Sequence, residues 1–289
     1  MDQRRTLDET IAVYALEPNI KDLFVEGTTD KALIDWFLKG NGVTDVRVYP
    51  IDLFEVPDSV LQKHGLPLGS NRSRVVALAC ELAGAYPETL DVLCLADRDF
   101  EDYCPTCAKA CYLLLTDCNS LDLYAFTAST LEKFSTVALG GLPISTSDLI
   151  LNMDSILARL YAVRLANELL GWGMKWVPFS RYARMQGLRI VFDQTEFVRA
   201  YLQKNYRWDQ RRRFLLSLRE IEGSLSPELG RRSRSHDFAE LLTIVVRTLS
   251  KERKFGNVET LEGCLMAALE SSNLRELPFF KRILALAGA

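Results

Sequence analysis

The sequence predicts an α/β fold, a parallel sheet wound with helices, followed by a mainly helical C-terminal region. Three observations carry that expectation. Short apolar runs alternate with helical stripes over roughly the first 125 residues, the rhythm of βαβ units. Two of those runs, Asp91–Ala96 (DVLCLA) and Cys111–Leu115 (CYLLL), are apolar at nearly every position, as in strands buried on both faces. Beyond about residue 150, apolar residues recur mostly at helical spacing.

In chain order, Ile11–Tyr14 is a short apolar lead-in, and Asp22–Glu26 (DLFVE) reads as a buried strand closed by Gly27. Thr28-Thr29-Asp30 supplies turn and cap residues for a helix whose stripe is Leu33, Ile34, Phe37 and Leu38. Gly40-Asn41-Gly42 ends that helix, and Asp45–Tyr49 (DVRVY) alternates as a strand does. Pro57–Leu68 reads as irregular. Ser70 is the cap of a helix from Asn71 to Ala85, which Tyr86-Pro87 ends. Gly140–Ser147 (GGLPISTS) is the natural boundary, so the α/β domain is expected over 1–145 and the helical region over 146–289. In the latter, Asp154–Leu170, Glu196–Tyr206, Gln210–Ile221, Asp237–Leu249 and Val258–Glu270 are expected helices, with a strand pair at Lys175–Pro178 and Leu188–Phe192.

The 289 residues carry a net charge of only −3, which hides an asymmetry. Met1–Ile150 holds 12 basic and 23 acidic residues, whereas Leu151–Ala289 holds 23 basic and 15 acidic. Such a division suits a cation-gathering half beside one that meets an anionic surface; the plainer alternative is a solvated charge distribution. No run of about 18 apolar residues appears, so no membrane span is expected. The N-terminus has no secretory pattern, and seven cysteines, an odd number unevenly placed, suit a reducing cytoplasm.

Two segments carry the chemistry. Val25-Glu26-Gly27-Thr28-Thr29-Asp30-Lys31 follows one strand, and Ala96-Asp97-Arg98-Asp99-Phe100 follows another. In an open parallel sheet, ligands bind beyond the carboxyl ends of strands, where both segments fall. Asp97 and Asp99, two apart on extended chain, can face one cation, and Glu26 can close the site from its own strand end. Hard oxygen ligands of this kind select Mg²⁺ or Mn²⁺, ions that also bind phosphate. Taken singly, an Asp-x-Asp after a strand is more often a capped turn. The order and spacing of both segments are far more informative.

Strand-Glu-Gly-x-x-Asp-Lys, followed about 70 residues later by strand-Asp-x-Asp, resembles the Toprim domain of topoisomerases, primases and OLD-type nucleases. With Asp-Arg-Asp-Phe at Asp97–Phe100, it is most similar to the DUF4435-type Toprim proteins, and in length and layout it looks like the Toprim effectors of two-component anti-phage systems. The resemblance spans about residues 20–125. It implies a Rossmann-like core, Glu26 as ligand or general acid/base, and Asp97 and Asp99 as metal ligands. Asp30 would support the site or cap the helix, and Lys31 would contact phosphate or simply be solvated. Where relatives carry Ser-x-Glu after the next strand, this chain has Ser120-Leu121-Asp122, so Asp122 is a possible further ligand. The resemblance also implies an abortive-infection role, an ABC-type ATPase partner that restrains the nuclease, a homodimeric active form, and RNA, foremost tRNA, as substrate. An OLD-type DNA nuclease and a non-catalytic module that docks an ATPase are the alternatives.

A basic stretch holds Arg207, Arg211, Arg212, Arg213, Arg231, Arg232 and Arg234, interleaved with Tyr201, Tyr206, Trp208 and Phe214. Arginines that neutralise phosphate, with bases stacking on aromatics, are the functional reading; a solvated helical face with inward aromatics is the other. His236 could assist proton transfer near phosphate, or stand at a helix start with Asp237 as an early-turn acid. Cys104, Cys107 and Cys111 invite a structural zinc, but no second Cys-x-x-Cys pair exists and Cys111 reads as a core residue, so zinc is the weaker expectation. No Walker A, Gly-x-Gly-x-x-Gly or Gly-x-Ser-x-Gly sequence occurs.

Overall fold

The computed structural model describes residues 4–87, 90–105 and 110–288. Its elements begin with β1 (Arg5–Thr6), α1 (Leu7–Leu16), β2 (Lys21–Val25), α2 (Thr28–Gly40), β3 (Val46–Pro50) and β4 (Phe54–Glu55). There follow α3 (Asp58–Lys63), α4 (Asn71–Ala85), β5 (Val92–Ala96), β6 (Leu113–Leu115), α5 (Ala128–Lys133) and α6 (Thr146–Leu170). The chain then runs through β7 (Ala183–Gln186), β8 (Arg189–Phe192), α7 (Gln194–Lys204), α8 (Arg211–Ser224), α9 (Ser235–Leu249), α10 (Val258–Ala267), α11 (Ser271–Arg275) and α12 (Pro278–Ala287). The fold is mixed α/β with a parallel sheet and a helical C-terminal region, the expected class. By contact, the chain divides into an α/β unit, residues 1–117 with 270–289, and a helical unit, residues 118–269. Among the described residues, no helix is long and apolar enough to cross a membrane.

The main sheet of the α/β unit has four parallel strands in the order β3-β2-β5-β6. From β2 the chain steps outward to β3, then returns through α4 to lay β5 on the other side of β2. The winding direction therefore reverses between β2 and β5, the switch point at which open α/β sheets bind ligands. Burial explains the composition of these central strands: every residue of β5 is buried, and so are Asp22–Val25 of β2. Phe24, Val92, Cys94 and Ala96 pack with α1 and α4 in one core. Alternation turns Leu23, Val25, Leu93 and Leu95 to the opposite face. Phe37 of α2 and Phe280 of α12 lie with ring centroids 4.7 Å apart. α12 is tied to the unit by Asp117, which accepts the Phe279 N–H at 3.1 Å, and by Lys21, which bonds both Asp45 (2.7 Å) and the Ala287 carbonyl (3.0 Å).

Several expectations need correction. Pro57–Leu68 contains α3, a helix too short for periodicity to reveal, fixed by Leu61 entirely in the core. α6 starts at Thr146, eight residues before Asp154; its signal is Ser145, whose hydroxyl accepts the Asp148 N–H at 3.1 Å. The strand pair is β7 with β8, antiparallel and joined through Gly187 at φ +61°. Lys175–Pro178 is not one of its strands. The Asn205 side chain satisfies both the Lys175 N–H (2.7 Å) and its carbonyl (2.9 Å), the bonds a partner strand would have made.

Candidate active site at two neighbouring strand ends

β2 and β5 are adjacent and parallel, with Leu23 opposite Leu93 and Phe24 opposite Cys94. Their carboxyl ends therefore emerge side by side at the switch point. Glu26 is the first residue after β2 and Asp97 the first after β5. The structure joins them: the Asp97 N–H donates to Glu26 Oε1 at 2.8 Å, across 71 residues of sequence. Burial pushes the Glu26 carboxyl up to about 7; the Asp97 N–H opposes this, Asp30 and Asp99 add to it, and Arg72 draws it down. A proton on Glu26 is thus exchangeable near neutral pH.

Asp99 stands two residues on, half-exposed at φ +48°, a left-handed backbone that Asp tolerates better than most residues. Such a conformation within an acidic loop is the kind of local strain found at functional sites. Arg72, on the first turn of α4, is the group sequence reasoning missed. Its Nε donates to the Asp97 carbonyl (2.7 Å) and lies 3.7 Å from Asp99 Oδ2, while a terminal nitrogen donates to Glu101 (2.8 Å). Its neighbour Asn71 donates to the Glu26 carbonyl at 2.9 Å. A lone arginine at a helix start carries no sequence signal for such a role.

The remaining sequence candidates divide. Asp30 accepts the Gly27 N–H at 2.9 Å and closes the start of α2. Lys31 pairs with Asp35 one turn along α2 at 2.5 Å. Asp122 belongs to the helical unit, in a short 3-10 turn, with its carboxyl raised by burial. His236 is exposed at the start of α9, with Nδ1 3.4 Å from Glu262. Asp237 is the early-turn acid of α9, as expected, and it is also buried, taking the Arg164 guanidinium on both oxygens at 2.6 and 3.1 Å. Cys107 lies outside the described residues, and Cys111, expected in the core, is exposed because β6 begins only at Leu113.

The basic stretch splits in two. One terminal nitrogen of Arg232 donates to both Asp154 oxygens, at 2.8 and 3.0 Å, and Arg231 lies 3.6 Å from Glu228. Arg211, Arg212, Arg213 and Arg234 are exposed. Arg207 and Arg213 approach the Trp172 ring, and Arg211 approaches Trp208, with 5.1–5.9 Å between guanidinium carbon and centroid. Tyr201 and Phe214 are core residues, whereas Tyr206, 94% exposed, and Trp208 face solvent. Half of the interleaved aromatics thus obey each reading.

The donor set of Glu26, Asp97 and Asp99 fits a hard divalent cation. All the donors are carboxylate oxygens, and Asp30 and Asp99 raise the Glu26 carboxyl, a repulsion that a cation relieves. Among the described residues, no three His, Cys, Asp or Glu side chains are already gathered about one point. The chain matches no protein-family model and no curated protein.

Proposed function

We propose that this chain is a divalent-metal-dependent nuclease of the Toprim type, with its reaction centre at Glu26, Asp97 and Asp99. The observation that carries the reading is the 2.8 Å bond between Glu26 and the Asp97 N–H at the sheet's switch point. Asp97 and Asp99 would hold Mg²⁺ or Mn²⁺, which supplies charge neutralisation for the phosphodiester. Glu26, raised to about 7, exchanges a proton at neutral pH and so serves as general base toward water. The exposed arginines of α8, Arg211–Arg213, with the half-buried Arg207 before them, supply phosphate contacts, with Trp208 and Tyr206 beside them for bases. The motif resemblance extends the proposal to an anti-phage effector, restrained by an ABC-type ATPase, that cuts RNA, foremost tRNA, as a homodimer in the cytoplasm.

One observation favours a second reading, a non-catalytic module. Arg72 already brings a positive charge to the acidic loop, as a protein without a bound metal would need. Cleavage assays on tRNA, other RNA and DNA, with Mg²⁺ or Mn²⁺ and with chelator, separate the readings. They are run on wild type and Glu26→Ala, alone and with the neighbouring ATPase. Metal-dependent cutting lost in Glu26→Ala supports the nuclease, and substrate preference separates an RNase from an OLD-type DNase. No cutting in any state leaves the binding module.

A further inference from the structure

We propose that Asn71 and Arg72 are positioning residues that clamp the two acid-bearing loops together in the geometry a cation needs. The inference rests on the metal-site reading of Glu26, Asp97 and Asp99. These two consecutive residues open α4, and each donates to a main-chain carbonyl beside the site. Asn71 Nδ2 holds the Glu26 carbonyl at 2.9 Å, and Arg72 Nε holds the Asp97 carbonyl at 2.7 Å. Both bonds fix the backbone from which the acidic side chains hang. One helix turn thereby sets the separation of two loops that are 71 residues apart in sequence.

Arg72 does more than hold one carbonyl. Its guanidinium reaches from Asp97, at the start of the loop, to Glu101 at its end, a 2.8 Å bond between two largely buried side chains. Between those anchors lies Asp99 in its left-handed conformation, its carboxylate 3.7 Å from Arg72 Nε. A planar fork can make these contacts at once, whereas a lysine ammonium offers a single point of charge.

The alternative role for Arg72 is that of a simple counter-ion, and the two roles predict opposite signs. Removing a counter-ion relieves repulsion of an incoming cation and tightens its binding. Removing a group that orients metal ligands weakens binding, typically 10- to 100-fold.

The test compares wild type, Arg72→Met, Arg72→Lys and Asn71→Ala as full chains. Two readouts are taken: Mn²⁺ binding by calorimetry or electron paramagnetic resonance, and amide hydrogen exchange without metal. In Arg72→Met the expected results are Mn²⁺ binding weaker by about tenfold or more, and faster exchange over Asp97–Glu101 with β2 and the middle of α4 unchanged. Arg72→Lys recovers neither. Asn71→Ala, which removes the bond to the Glu26 carbonyl and a 3.5 Å bond from Arg74 while leaving Arg72 in place, serves if the Arg72 variants do not fold, and speeds exchange at the Asp97 amide that Glu26 accepts. Tighter Mn²⁺ binding in Arg72→Met, or loop exchange equal to wild type in both Asn71→Ala and Arg72→Met, overturns the clamp. Should wild type bind no Mn²⁺, the metal-site reading falls, and exchange alone decides the clamp by the same criterion.

Discussion

β2 carries a raised carboxyl near each end, and the two serve different ends. Asp22 sits inside the strand, buried, with one oxygen accepting the Tyr14 hydroxyl at 2.8 Å and the other without a hydrogen-bond partner. Burial raises it, and Tyr14, Arg47 and Arg5 pull it down. Glu26 stands just past the strand at the switch point, and two of the groups that perturb it are other carboxylates, Asp30 and Asp99. A buried acid inside a strand, bonded by one neutral donor, is an element of packing. An acid raised by burial, and further by other acids at a strand end, is a site waiting for a cation or a proton. What distinguishes the two is the company each keeps rather than the direction of its shift.

The sharpest way to break that comparison is Glu26→Gln beside Asp22→Asn. Gln keeps the acceptor for the Asp97 N–H but cannot take a proton, so metal-dependent cleavage is expected to fall by about 100-fold or more, read as kcat on a fixed oligonucleotide. Asp22→Asn is expected to leave kcat within about twofold, because its hydrogen bond is to Tyr14 and not to either acidic loop. Equal losses in both would erase the distinction.

Stability against pH tests the same contrast next. Glu26 is raised from 4.5 to about 7, so the folded protein binds its proton more tightly than the unfolded chain does. Its stabilising contribution is complete below about pH 4.5, declines as pH rises toward 7, and is flat above that. Asp22 slopes in the same direction. Glu81, lowered by Lys63 and His64 against its own burial, slopes the other way, losing its contribution as pH falls through its depressed value. Denaturant melts of metal-free protein should therefore show Glu26→Gln more stable than wild type at pH 8 by about 3 kcal/mol, with the difference gone near pH 4.5.

The arginines offer a parallel comparison within the helical unit. Replacing Arg211, Arg212 and Arg213 together by alanine should reduce the slope of log affinity for nucleic acid against log salt by about 2–3, measured by anisotropy. Arg232→Ala should leave that slope alone and lower the melting temperature instead, since it strands Asp154 at a cost of about 1 kcal/mol after solvent screening. The smallest expected effect is Tyr14→Phe, which removes the donor to Asp22 and should cost about 1 kcal/mol in urea melts without altering cleavage.

Much of the α/β unit was legible because burial on both faces leaves a continuous apolar run, as in β5, and because Ser70 caps α4 where its hydroxyl says it should. Glu26 and Asp97 were legible for a related reason: each directly follows a strand that the sequence marks, so topology alone brings them together. Arg72 was not, since its role depends on where α4 lands against two loops. The partner of Asp237 was equally illegible, since Arg164 lies 73 positions away. The short α3 and the displaced strand β7 were hidden because a buried Leu61 and an Asn205 side chain, rather than any periodic pattern, decide those segments.

The most direct test of the central claim is Mn²⁺ titration of wild type, Glu26→Gln and an Asp97→Asn, Asp99→Asn double variant, with cleavage followed in the same samples. Saturable binding and cleavage are expected in wild type, weaker but still saturable binding with cleavage lost in Glu26→Gln, and both lost in the double variant. Cleavage by the double variant at the wild-type rate would contradict that claim.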